Sequence, residues 1–165
     1  MSFQKTVNRT MAPGLPGSHY GTAPSVITAY MAAVDLIPGT FVCNLVGGAS
    51  SAQNPKQAGY KTGGIPVGLV TRDTTGYIPS VLTEYSNVIN AGLNVQVASK
   101  GEFMIHLDEV AAGTANIGMQ ITVADPTTGV PSAVADGTAG ALDWWIVDVL
   151  DAASGLCAIS SWRKG

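Results

Sequence analysis

Charge is the scarcest property of this chain. Only 12% of its 165 residues are charged, against 46% hydrophobic, well short of the roughly 25–35% charged residues of a surface built for solubility. A deficit of that size implies either a Ser/Thr/Gly surface or a surface largely covered in an assembly. No basic run exists, and the net charge is −3 with a pI of about 5.1. The sequence-independent attraction to phosphate that underlies nucleic-acid binding is therefore absent. No apolar stretch reaches the roughly 18 residues needed to cross a bilayer. The opening "MSFQKTVNRTMAPG" has no apolar signal-peptide core, so synthesis and retention in a cytoplasm are expected, and Asn8-Arg9-Thr10 is a chance match to a glycosylation triplet.

Chemistry-bearing residues are equally sparse. Cys43 and Cys157 lie far apart inside apolar runs, without Cys-x-x-Cys spacing, and read as two buried thiols of a reduced protein. The two histidines, His19 and His106, cannot supply the three or four ligands of a zinc site, so no metal and no cofactor is expected. His106 and Asp108 share a predicted strand face with Ser99 in the adjoining turn. No nucleophile elbow or oxyanion donor accompanies them, so no catalytic triad and no enzyme is expected. Asp143, Asp148 and Asp151 flank the last hairpin, where acids mark turns and keep an edge soluble. Neither Gly-x-Gly-x-x-Gly nor Gly-x4-Gly-Lys-Ser/Thr occurs.

What the chain does have is β pattern. Residues 1–24 form a Pro/Gly-rich stretch with Lys5 and Arg9 and no acid, which predicts an extended N-terminal arm that forms neither helix nor ladder. Phe3, Val7, Leu15 and Tyr20 give that arm more apolar groups than a solvating tail needs. Residues 25–165 read as one β-domain of short Val/Ile/Thr runs: 25–31, 40–46, 65–72, 116–123 and 130–134. The stretch 47–64 reads as a polar loop, and 80–89 as the sole helix candidate. The clearest hairpin is 92–109, where Leu93, Val95 and Val97 alternate with polar residues. "ASKG" then turns the chain, and Phe103, Ile105 and Leu107 alternate again. These elements predict an all-β, antiparallel sandwich, jelly-roll-like or small-barrel fold.

The segment "LDWWIVDVLDAASGLCAISSW" closes the chain as a hairpin. In a strand, Trp144 and Trp145 point to opposite faces. By simple alternation Leu142, Trp144, Ile146 and Leu150 form one face, broken by Asp148, and Trp145, Val147 and Val149 form the other. A strand apolar on both faces is covered on both.

Three segments in order carry a resemblance. "SFQKTVNRTMAPGLPGSHYGTAP", "PVGLVTRDTTGYIPSVLTEYSNVINAGLNVQVASKGEFMI" and "GLCAISSW" together resemble the structural cement, or head decoration, proteins of tailed bacteriophages. The chain departs from that pattern at Ser25, where an Arg is common, and in the long stretch 47–64. The resemblance implies a non-enzymatic virion protein on the outer surface of the capsid, made in the host cytoplasm. Its partner would be the major capsid protein, and it would brace neighbouring capsid subunits as a dimer or trimer, without direct nucleic-acid or membrane contact. On that reading Phe3 and Val7 anchor the arm, and Lys5 and Arg9 meet an acidic capsid surface. Trp144, Trp145 and Trp162 are the candidates for an oligomer or capsid interface. A second function class, a virion-surface receptor- or carbohydrate-binding module, would place Trp145 or Tyr60 on an exposed platform.

Overall fold

The computed structural model describes residues 14–46, 56–72 and 88–162. Among the described residues the short β-branched runs form ten strands: β1 (Val26–Ala32), β2 (Phe41–Asn44), β3 (Gln57–Gly59), β4 (Pro66–Val70), β5 (Asn94–Lys100), β6 (Glu102–His106), β7 (Gln120–Asp125), β8 (Val130–Val134), β9 (Leu142–Asp151) and β10 (Leu156–Ser160). A one-turn helix, α1 (Asp108–Ala111), follows β6. The first five strands close a barrel in the order β1-β3-β2-β4-β5, and the last five form an open sheet in the order β6-β10-β9-β7-β8. The small barrel and the all-β class expected from the alternation are both present. One pair, β1 with β3, is parallel. That strand β3 falls in the stretch read as a polar loop, with Ala58 wholly buried; residues 47–55 and most of the helix candidate, 80–87, lie outside the described residues.

Two cores follow from adjacent apolar pairs. In β2, β4 and β5 the pairs Phe41-Val42, Leu69-Val70 and Val97-Ala98 are buried residue after residue. Val42, Val70 and Val97 fill the barrel. Phe41, Leu69 and Ala98 face out from it, into a core shared with Phe103, Ile105, Trp144, Ile146 and Ile159 of the open sheet. Strands covered on both faces must be apolar on both faces, which is why burial is continuous in β2 and β4 and at Val97-Ala98 of β5, where the alternation of that strand stops. Strand β1 lies on the barrel's other side, where Val26 and Ile27 are exposed.

The predicted hairpin 92–109 is not a hairpin. Strand β5 pairs with β1 and β4, whereas β6 pairs with β10 in the other sheet. Between them stands Gly101 at φ +147°, a conformation open to glycine and strained for other residues. A Cβ there would sit 2.5 Å from Cε2 of Phe103. Gly101 donates its N–H to Ser161 Oγ (2.8 Å) and accepts from the Ser161 N–H (3.0 Å). Alternation survives on each side of this residue, and only the assumed pairing fails.

The N-terminal stretch is corrected as well. Residues 14–24 are docked, and 17–20 act as a further edge strand on β6. The Gly17 N–H donates to the Met104 carbonyl (2.8 Å), Met104 N–H to the Ser18 carbonyl (2.9 Å) and Tyr20 N–H to the Glu102 carbonyl (2.9 Å), with His19 opposite Phe103. Proline cannot donate to a ladder, but Ser18-His19-Tyr20 is free of it, and Gly17 at φ +82° turns the chain into line. Residues 1–13, which include Phe3, Lys5, Val7 and Arg9, lie outside the described residues.

Candidate interaction surface

The tryptophans separate by environment. Trp144 is 4% exposed and stands edge-on to Phe41 (ring centroids 6.0 Å apart) and tilted to Phe103 (6.2 Å). It ties β9 to β2 and β6 and is the core ring of the pair. Trp145 points the other way, half-buried, and its Nε1 donates to Asp136 Oδ1 (2.9 Å). Trp162 is 46% exposed; its Nε1 donates to the Pro24 carbonyl (2.9 Å), and Lys100 Nζ lies 5.1 Å from its ring centroid, within cation–π range. Of the three rings grouped as interface candidates, Trp144 has no surface to offer a partner, and Trp145 and Trp162 do.

A bulge explains the acid inside the apolar face. Ile159 pairs with Ile146 and Ala158 with Asp148, so Val147 is interposed without a partner. One extra residue reverses which face later side chains occupy. Val149, not Leu150, therefore joins Trp144 and Ile146 at the core. Asp148 turns outward and accepts a hydrogen bond from the Tyr20 hydroxyl (2.7 Å). Simple alternation missed this pairing; the signals for it were an Asp at an inward position and a lone Tyr in the Pro/Gly stretch.

The same stretch stitches the two sheets together. The Arg72 N–H, just beyond β4, donates to the Gly17 carbonyl (2.8 Å), and its Nε donates to the Pro16 carbonyl (3.3 Å). Met104 on the outer face of β6 packs under Gly14. Where the barrel meets the open sheet, an open cleft of about 280 Å³ is lined by Phe41 of β2, Pro66 and Val67 of β4, and Asp143 of β9. An adjoining one holds Ser99, Lys100 and Trp145. Between Gly101 and Trp162 the chain carries acidic residues but no Lys or Arg, so the open sheet is the anionic part of the molecule.

The residues weighed for chemistry are not brought into one site. His106 Nδ1 lies 3.7 Å from Asp108 Oδ1, both exposed, but Ser99 sits on β5 in the barrel, donating to the Val26 carbonyl (3.3 Å). Burial, reinforced by the nearby Glu109 charge, pushes the Cys157 thiol up to about 12. Burial also raises the Cys43 thiol, against the opposing effect of Lys61. Such thiols are poor nucleophiles. Asp151 is held below the usual carboxylate range by the Ser154 hydroxyl, and Asp125 by Thr127; both cap turns. The Tyr60 hydroxyl is engaged by Thr40 and the Ile37 N–H, and the side chain packs, partly buried, against the barrel core. Among the described residues no group of three His, Cys, Asp or Glu side chains could hold a metal, and no helix is long and apolar enough to cross a membrane.

Comparisons with known proteins place this body in a family. A chain in the capsid of Myoviridae phage XM1 has the same fold, with a TM-score of 0.58 over 100% of both chains at 17% sequence identity. The head fiber gp8.5 N base of bacteriophage phi29 aligns with a TM-score of 0.49 and 10% identity, over 83% of this chain and 93% of that one. No curated protein matches the chain by sequence. The family model described as XM1 gp53 minor capsid protein matches residues 3–161, and the chain therefore belongs to the XM1 gp53 minor capsid protein family.

Proposed function

We propose that this phage protein is a capsid cement, or decoration, protein that acts without catalysis. It docks on the outer surface of the head shell, contacts the major capsid protein and bridges neighbouring capsid subunits. The observation that carries this reading is the family match to a minor capsid protein over residues 3–161. Physical features support it. A brace needs area, contributing roughly 25 cal/mol per Å² of apolar surface before association costs. The body leaves Val26, Ile27, Ile65 and Trp162 exposed, in a chain poor in charge. The Pro content of residues 1–24 restricts the unfolded ensemble, which lowers the entropy cost of ordering. Contact with a second capsid subunit then gains from effective concentration. Homotypic contacts through Trp145 and Trp162 would make a dimer or trimer near a symmetry axis.

Because residues 14–24 belong to the folded body, the informative deletion is narrower than the whole Pro/Gly stretch. Deleting residues 2–13, with folding of the variant checked by circular dichroism, should sharply lower incorporation into expanded heads, measured by co-sedimentation. Undiminished incorporation would remove Phe3, Lys5, Val7 and Arg9 from the mechanism. Failure of the full-length protein to co-sediment with heads would reject the cement reading itself.

A further inference from the structure

We propose that the cleft between the barrel and the first residues of β9 is a saccharide-binding site, in which Lys100 and Asp143 hold hydroxyl groups of a sugar laid along Trp145. The inference is independent of the capsid-docking reading and stands on the geometry of the cleft. The chain leaves the barrel at Lys100, the last residue of β5, and enters the open sheet after Gly101, while β9 of that sheet begins at Leu142. Two adjoining clefts of about 280 and 370 Å³ lie where these strands meet, and they share Ser99, Asp143 and Trp144, so they form one concave surface. Ligand sites are concave and mostly apolar, with a small number of placed polar groups. Here Phe41, Pro66, Val67 and Leu142 line the apolar end, and Lys100, Asp143 and Trp145 the polar end.

The charges at the polar end are left for a third party. Ser161 Oγ is committed to the Gly101 N–H (2.8 Å), and Ser99 Oγ donates to the Val26 carbonyl (3.3 Å). Lys100 and Asp143 are both exposed and line the same cleft, yet they form no ion pair with each other. The Lys100 ammonium rests 5.1 Å from the Trp162 ring centroid, a contact that positions it without neutralising its charge. The Asp143 carboxylate has no hydrogen-bond partner among the described residues. Opposite charges side by side select the ligand by elimination. An anion would be repelled by Asp143 and a cation by Lys100. A wholly apolar ligand would cover both charges without pairing either, which is costly. A neutral polyol satisfies both, because a hydroxyl donates to the carboxylate and accepts from the ammonium, and such charge-assisted bonds are the stronger ones. Among polyols, a sugar ring adds a flat C–H face that can cover an indole such as Trp145, whose polar edge is already bonded to Asp136.

Saturation-transfer NMR on the purified full-length protein tests this with maltotriose, chitotriose, lactose and rhamnose, each at about 10 mM, enough to half-fill a site with a Kd of about 10 mM. At least one of these sugars should receive saturation through its ring C–H protons and quench the tryptophan fluorescence. Lys100→Met keeps the aliphatic stem over Trp162 and removes the ammonium, and Asp143→Ala removes the carboxylate. Each should weaken binding about tenfold, the size expected when a hydrogen bond to a charged group is lost, with the urea midpoint unchanged because both side chains are exposed. No transfer to any of the four sugars overturns the proposal. So does binding that both variants retain undiminished, since the sugar then sits elsewhere. Tighter binding of glycylglycine than of every sugar also overturns it, because a zwitterion would then be the better match to the two charges. Co-sedimentation with heads is read separately, so failure here leaves the cement reading standing.

Discussion

Replacing Trp144 and Trp145 singly by Ala separates two neighbouring rings that composition cannot distinguish. Trp144 is 4% exposed and packed against Phe41 and Phe103. A buried Trp removes about 150–250 Å² from water, which at about 25 cal/mol per Å² is about 4–6 kcal/mol of transfer free energy. Measured Trp or Phe to Ala changes in cores cost about 3–5 kcal/mol, cavity included. Because the void would open where β2, β6 and β9 meet, we expect Trp144→Ala to fall in that range. Trp145 is half-buried and has one indole hydrogen bond to Asp136, so its loss should cost about 1–2 kcal/mol, the bond itself contributing about 1 kcal/mol. Urea unfolding reads the difference. With a slope of about 2 kcal/mol per M, Trp144→Ala should lower the midpoint by about 2 M and Trp145→Ala by less than about 1 M. Equal shifts, or a smaller shift for Trp144→Ala, would refute the assignment of the core face.

Two further outcomes follow from the same structure. Gly101→Ala should destabilise by about 2–4 kcal/mol, from positive-φ strain and the clash with Phe103 together, and thermal unfolding within about a degree of wild type would contradict the role of Gly101 at the sheet switch. The Cys157 thiol titrates near 12 in the folded chain against an ordinary 9.0. Its folded pKa is raised, so its contribution is fully present below pH 9 and is lost as pH rises from 9 toward 12, when the unfolded chain ionises first. The difference in stability between wild type and Cys157→Ala should therefore shrink across that window, and a pH-independent difference would refute the linkage.

The period-two alternation at Val95-Val97 and Phe103-Ile105 determined strand class, and β5 and β6 lie where the pattern put them. The same pattern could not say which strand each would pair with, because a period of two is a property of one strand and pairing is a property of two. Gly101 therefore read as a hairpin turn when it is a crossing between sheets. Phe41-Val42 and Leu69-Val70 showed double-sided burial in their composition, but only the barrel packed on an open sheet explains it.

The candidate surface divides in the same way. Opposed directions for Trp144 and Trp145 were dictated by adjacency in a strand, whereas the choice of which one is buried depended on where β9 meets β2 and β6. Asp148 looked like a flaw in an apolar face until the bulge at Val147 reversed that face and brought Tyr20 to it. Sequence alone set a charge-poor all-β chain with a Pro/Gly-rich beginning. Tertiary structure decided that residues 17–20 of that beginning complete a sheet, because hydrogen-bond partners far apart in sequence become neighbours only when both sheets have formed.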